Sequence, residues 1–307
     1  MPNHAPLISI VTIVYNDIVH IAQTMDSVVM QSYENLEYII IDGNSNDGTK
    51  ERIVGYIKDC AEVTLEESSA TESSPRFYIE AIHKAKRNFT FKFLSEKDSG
   101  IYDAMNKGID LATGQWCNFM NCGDRFYAGD TIEELFGKFF ERQGEIISLN
   151  HADQACGLDN LIVYGDTQIC YDESHSKILR TKPITHKYQH IGHQSAFIAT
   201  PLLRSHPYDT SFKIAGDVNF FTTCFRHGGK FIYIDIAVCT FDANGISSKP
   251  NWRMLVEEVR IVSRGNRFYA PLYAFFRSLR YLAKYLITTL LPRNLSLKIA
   301  SLYNAKS

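Results

Sequence analysis

Leu7 to Val14 is a run of Ile and Val with hardly a charge, the pattern of a strand buried on both faces at the centre of a parallel sheet. Behind it Ile18, Ile21, Ala22, Met25, Val28 and Val29 recur at helical spacing, with Asn16 or Asp17 placed to cap that helix. Leu36 to Ile41 is a second apolar strand, closed by the turn and cap residues Asp42 to Thr49, after which another helix is expected. Phe89, Phe91 and Phe93 alternate with Thr90, Lys92 and Leu94 as in a strand; Ile101 to Ala112 then reads as a helix and Trp116 to Met120 as a fourth strand. Four strands joined through three helices form the βαβ succession of an α/β fold, with a doubly wound, mostly parallel sheet flanked by helices. Glu62 to Pro75, acidic and Ser-rich without apolar periodicity, is expected to be a surface excursion or flexible insertion that carries no chemistry.

After Asp124 the pattern loosens. Ile132, Leu135, Phe136, Phe139 and Phe140 mark a helix over Thr131 to Arg142, followed by short strands near Ile146, over Ile162 to Tyr164, at Ile169 and over Ser195 to Ile198. Gly216-Asp217 opens one more helix, through His227. The segment Leu272 to Leu291 is amphipathic, with Arg277, Arg280 and Lys284 forming a basic stripe and Phe276, Leu279, Leu282, Leu286 and Leu290 largely on other faces. No run of eighteen uncharged residues occurs between Phe268 and Pro292, so this helix is expected to lie on a membrane surface, not to cross it. The same helix packed on the domain with its Arg residues exposed is the other reading.

Composition narrows the function classes. With 307 residues and 45% apolar content the chain can bury a substantial core. Its net charge of −2 argues against a general nucleic-acid binder, but the charge is uneven. From Asn251 onward ten Lys or Arg face two Glu, about +8; in the rest twenty-two face thirty-two, about −10. The seven cysteines (60, 117, 122, 156, 170, 224 and 239) lack zinc spacing and read as reduced thiols. No signal-peptide pattern precedes the first strand, so a cytoplasmic protein is expected. The absence of GxxxxGK[ST], of GxGxxG after the first strand and of GxSxG disfavours a P-loop NTPase, a dinucleotide dehydrogenase and a serine hydrolase.

Carboxylates and amides gather where the strands end, which is where open α/β sheets bind nucleotides. Asp42 is placed to accept from a base or ribose, or to serve as a turn aspartate before Gly43. Asp98 and Asn106 bracket the start of the third helix and orient a nucleotide sugar, or act as caps. In Asn121-Cys122-Gly123-Asp124, Asp124 is positioned to hold Mg²⁺ or Mn²⁺ against a diphosphate; a surface turn is the plainer reading. Asp217 is a candidate general base and also a natural N-cap. His186, His190 and His193 share a loop that could contact an acceptor sugar or a metal.

Ser9 to Asn16, Glu37 to Thr49 and Ser95 to Gly108 together resemble the inverting nucleotide-sugar glycosyltransferases of family 2, with a GT-A fold, especially those of bacterial polysaccharide assembly. The similarity covers residues 7 to 125 firmly and 160 to 245 loosely, through Tyr164-Gly165-Asp166, His193-Gln194 and Ala215-Gly216-Asp217. It implies a GT-A domain over 1–248, with a nucleotide-sugar half (1–125) and an acceptor half (126–248); the basic amphipathic helical tail expected over 249–307 lies outside it. It places the nucleotide, usually through uracil, on Thr12, Tyr15 and Asp42, with Asp98, Asn106 and Asn121 toward the donor sugar and His193 toward the acceptor. The family's Asp-x-Asp metal motif, often with a further Asp, falls on Asn121, Gly123 and Asp124, leaving Asp124 as the expected contact for Mg²⁺ or Mn²⁺. Its catalytic aspartate falls on Asp217, with Gly216 where a Glu commonly stands. The resemblance implies sugar transfer with inversion from a UDP-sugar to a hydroxyl of a glycan or lipid-linked acceptor, and the amphipathic tail adds the expectation of a place at the inner face of the cell membrane, where a lipid-linked acceptor is presented. A non-catalytic sugar-nucleotide-binding or scaffold protein of the same fold is the competing expectation.

Overall fold

The structure is a computed structural model that describes residues 5–71, 74–149, 158–170, 176–184, 191–242 and 252–290. The chain begins β1 (Ile8–Val14), α1 (Ile21–Val29), β2 (Leu36–Asp42), α2 (Thr49–Cys60), β3 (Ala61–Thr71), β4 (Ser74–His83), β5 (Phe89–Glu96), α3 (Ile101–Leu111) and β6 (Trp116–Phe119). It continues β7 (Arg125–Phe126), α4 (Thr131–Leu149), β8 (Leu161–Cys170), β9 (Ser176–Leu179), β10 (Ala196–Ala199), α5 (Thr200–Ser205), α6 (Gly216–Arg226), β11 (Lys230–Asp242), α7 (Trp252–Gly265) and α8 (Ala270–Leu290).

One mixed sheet in the order β3-β4-β5-β2-β1-β6-β10-β8-β11-β7 runs through the described residues, with β9 against β8. Its centre, β5-β2-β1-β6, is parallel, as the uninterrupted apolar strands require, and every residue of β1 and β2 is buried. Register sets Val14 beside Asp42 and Asp42 beside Ser95, so these strands end level along one edge. Helix α3 lies tight against this layer, since a β-carbon on Gly108 would stand 2.4 Å from a Val11 methyl.

The acidic stretch expected as an excursion is instead half of a hairpin: β3 and β4 pair antiparallel, and β4 adds antiparallel to β5. β4 buries Tyr78, Ile79 and Ala81, whereas β3 buries Ala61 at its start and leaves Val63 and Leu65 exposed, so β3 shows no hydrophobic alternation. The short strand expected near Ile146 is also absent, because α4 continues to Leu149. Its Gly144 weakens the helix by about 1 kcal/mol and does not end it. Ile162–Tyr164 and Ile169 belong to one strand, β8, which pairs parallel with β11 and antiparallel with β10.

Helix α7, which the sequence did not announce, docks on α6 and the segment that leads into it. Arg264 donates to Asp209 and Asn219, each at 2.9 Å, and Arg260 lies over the Phe212 ring at 4.5 Å. Buried Glu257 accepts the backbone N–H groups of Lys213, Ile214 and Ala215 at 2.9, 3.0 and 2.8 Å. Helix α8 is tied to α7 by a bidentate pair, Arg277 to Glu258, both contacts 2.6 Å. Arg277 is therefore engaged with the protein and not part of an outward basic stripe, whereas Phe268, Leu272, Phe275, Phe276, Leu279 and Leu282 are exposed. Among the described residues no helix is long and apolar enough to cross a membrane.

Candidate active site

The level strand ends carry a preformed shelf. Asp42 is fully buried; its carboxylate accepts the Ser45 N–H and hydroxyl and, at 2.7 Å, the Ser95 hydroxyl. It thus braces the loop after β2, with its oxygens engaged by protein. Across the loop, a β-carbon on Gly43 would stand 2.6 Å from Asp98 Oδ2 and 3.1 Å from the Tyr15 ring, so only glycine admits this approach. Asp98 accepts the Gly100 N–H at 2.9 Å, and burial, outweighing that bond, holds its carboxyl above the usual range. Tyr15 is exposed beside it, an aromatic face on which a base can stack.

Two residues expected on the nucleotide face elsewhere. Thr12 is fully buried, donates to the Met120 carbonyl at 2.7 Å and meets the Tyr38 hydroxyl at 2.9 Å, because it lies within the central strand β1, which is covered on both faces. Asn106 donates to and accepts from the Tyr208 backbone, both at 2.9 Å, and so pins the Tyr208 loop. His186 and His190 lie outside the described residues.

The remaining polar groups meet where β6, the turn before β10 and α6 converge. Asp217 lies in the first turn of α6, where the helix dipole favours a carboxylate; Oδ1 accepts the Val218 N–H at 2.8 Å and Tyr102 approaches it at 3.5 Å. Oδ2 is 3.2 Å from His193 Nδ1, and His193 Nε2 is 2.9 Å from Asn121 Nδ2. The Tyr102 hydroxyl donates to the Ile214 carbonyl at 2.7 Å; burial and the nearby Asp217 charge push its pKa far up, so it stays protonated. Its ring stacks on Tyr208 and fills the space beside Gly216, where a β-carbon would come within 2.5 Å. Buried Cys117, Cys224 and Cys239 and half-buried Cys122 have thiols raised by desolvation, which makes them poor nucleophiles.

The sequence profile "Glycosyl transferase family 2" matches residues 9–69. An uncharacterized glycosyltransferase of Mycobacterium tuberculosis is 29% identical over 254 residues, covering 80% of this chain and 78% of the relative. A PGL/p-HBAD biosynthesis glycosyltransferase of Mycobacterium bovis is 24% identical over 243 residues, covering 78% of each. These matches support a family 2 glycosyltransferase. The chain is a glycosyltransferase with the GT-A fold. Residues 1–349 of S. aureus TarS superpose with a TM-score of 0.51 at 13% identity, over 83% of this chain and 64% of that one, so the match spans less than two thirds of that protein. The mannosyltransferase PcManGT of Pyrobaculum calidifontis, solved with GDP-Man and Mn²⁺, superposes with a TM-score of 0.53 at 15% identity, over 100% and 82%.

The donor set of this glycosyltransferase does not fit a metal held by the protein. At the positions of the Asp-x-Asp motif, Asn121 turns its Nδ2 to His193 and Gly123 has no side chain. Asp124, expected as the metal contact, is 7% exposed and its Oδ2 accepts from Gln194 Nε2 at 2.8 Å. Among the described residues no three His, Cys, Asp or Glu side chains converge on one point. Sequence reasoning singled out Asp217 and His193 but gave no role to Tyr102 or Gln194, although both sit inside quoted motifs; Glu257 had no local signal.

Proposed function

We propose that this glycosyltransferase moves a sugar from a nucleoside-diphosphate sugar, a UDP-sugar, to a hydroxyl of a glycan or lipid-linked acceptor, inverting the anomeric carbon. The observation that carries the reading is Asp217, a carboxylate in the first turn of α6, braced by Tyr102, Val218 and His193. Asp217 takes the proton from the acceptor hydroxyl, whose oxygen forms its bond to the anomeric carbon as the bond to the diphosphate oxygen breaks. The nucleoside diphosphate leaves with that electron pair and the proton stays on Asp217. One in-line displacement inverts the centre. Tyr15, Gly43 and Asp98 form the donor shelf, and the donor-bound state of PcManGT supports a nucleotide sugar as the ligand class. No step is assigned to a metal, because the donor set does not fit one.

Polysaccharide or glycolipid assembly is the supported setting, and the M. bovis relative is named for PGL/p-HBAD biosynthesis. The exposed apolar face of α8 supports attachment to the inner membrane surface, where a lipid-linked acceptor is presented. In this reading residues 1–248 form the catalytic unit and 249–307 the attaching tail.

The test is Asp217→Asn. Transfer is expected to fall by at least about 10²-fold, the usual scale for losing a general base, while nucleotide-sugar binding measured by calorimetry is kept. Transfer at the wild-type rate removes Asp217 from the chemistry.

A further inference from the structure

Asn121 stands where a metal-binding carboxylate is expected, yet its amide faces a histidine ring, and that ring faces the proposed base. The three side chains come from distant parts of the chain: Asn121 follows β6, His193 opens the turn before β10, and Asp217 lies in the first turn of α6. Asn121 Nδ2 carries only hydrogens, so at 2.9 Å from His193 Nε2 it donates and that nitrogen accepts. The ring proton of the neutral imidazole is then on Nδ1, which points at Asp217 Oδ2 3.2 Å away. Turning the amide round would require the proton on Nε2 and set the Nδ1 lone pair against the carboxylate. One arrangement of the neutral ring therefore satisfies both contacts.

The setting favours this chain of bonds. The His193 and Asp217 side chains are 16% and 15% exposed, so solvent competes weakly. Asn121 Oδ1 is buried with no hydrogen-bond partner among the described residues, a cost of this orientation that the Nδ2 contact with His193 offsets in part. Val218 N–H fixes the other carboxylate oxygen. Asp217 is thus gripped from both sides.

We propose that His193 is a positioning residue, which orients the Asp217 carboxylate through its Nδ1 proton, with Asn121 fixing the tautomer. This rests on the reading of Asp217 as the base, and it takes His193 and Asn121 out of direct acceptor and donor binding. The residue that replaces a metal carboxylate has become part of the support for the base.

Two measurements on the full chain test it. With [¹⁵N]histidine-labelled protein, the His193 imidazole nitrogens, assigned by difference from His193→Gln, are expected to show hydrogen on Nδ1. In Asn121→Asp, a carboxylate facing Nε2 is expected to pull a proton onto that nitrogen. A wild-type ring protonated on Nε2, or ring signals unmoved in Asn121→Asp, overturns the assignment without any sugar ligand. The second measurement uses whichever of UDP-glucose, UDP-galactose, UDP-N-acetylglucosamine or GDP-mannose most raises the melting temperature, with a polyprenyl-diphosphate-linked sugar as acceptor. His193→Ala is expected to lower kcat by about 10–100-fold, the scale for losing a group that orients a reactive one, with acceptor KM within about twofold. His193→Gln, which can still donate to Asp217, is expected to recover part of that loss. In the double variant with Asp217→Asn the loss should be no greater than for Asp217→Asn alone. A raised acceptor KM at unchanged kcat, or losses that multiply, overturns the positioning role. Full transfer by Asp217→Asn with the Nδ1 tautomer intact would instead count against Asp217 as base.

Discussion

Gly216 and Tyr102 show how one missing β-carbon decides the composition of a site. Where family 2 sequences commonly carry a Glu before the catalytic aspartate, the Tyr102 ring occupies the space, and its hydroxyl reaches Ile214 and the edge of Asp217. Gly216→Ala is expected to push that ring aside, destabilising the protein by about 1–3 kcal/mol, the cost of overpacking, and lowering transfer as Asp217 loses its neighbour. Thermal melting and initial rates check both, and an unchanged melting temperature would show that Tyr102 is free to move. Asp217 was legible in the sequence because a carboxylate after Gly216 opens an apolar helical pattern. Its partners were not legible: His193 and Asn121 are separated by 72 positions and meet only through the order of the strands. Thr12 misled for a simpler reason. The resemblance set it in the loop that holds the base, but it lies within β1, which is buried on both faces.

At the scale of elements, legibility followed periodicity. The central strands and the three helices between them could be read because burial on both faces, or on one stripe, leaves a pattern that needs no partner. The β3–β4 hairpin and α7 could not, since β3 is exposed on both sides and α7 is fixed by a few charged contacts. Glu257 is the chief of these, accepting three backbone N–H groups from the segment that leads into α6. Hydrogen bonds to a charged group contribute about 1.5–3 kcal/mol, and those N–H groups have no second acceptor waiting once the carboxylate is gone. Glu257→Ala is therefore expected to destabilise by at least about 2 kcal/mol in urea denaturation and to lower kcat through the loosened start of α6. Arg253→Ala is the control. Its guanidinium lies 3.6 Å from Glu257 on a side chain 61% exposed, and its loss should cost well under about 1 kcal/mol. Equal effects from the two variants would place the stability in the ion pair and not in the backbone clamp.

Across the whole molecule the charge separates into a body of about −10 and a tail of about +8. Exposed apolar side chains occur on both, but along α8 Leu272, Phe275, Phe276, Leu279 and Leu282 recur at helical spacing, with Phe268 exposed just before the helix. In the proposed membrane-attached state an anionic surface would attract the tail and repel the body, so the tail would set both attachment and orientation. That division of labour predicts the response to salt. Arg277 is already paired with Glu258, so burial of the apolar face would carry most of the attachment and steering less. The full chain is expected to sediment with phosphatidylglycerol vesicles and to stay largely bound at about 1 M salt, where the screening length is about 3 Å. Deleting residues 268–307 leaves α7 and its Glu257 clamp in place, so the shortened protein should keep a cooperative melt and its nucleotide-sugar binding while remaining in the supernatant. If it still sediments, attachment lies in the body. If the full chain is released by salt, the attraction is chiefly electrostatic, and the apolar face of α8 then serves another surface.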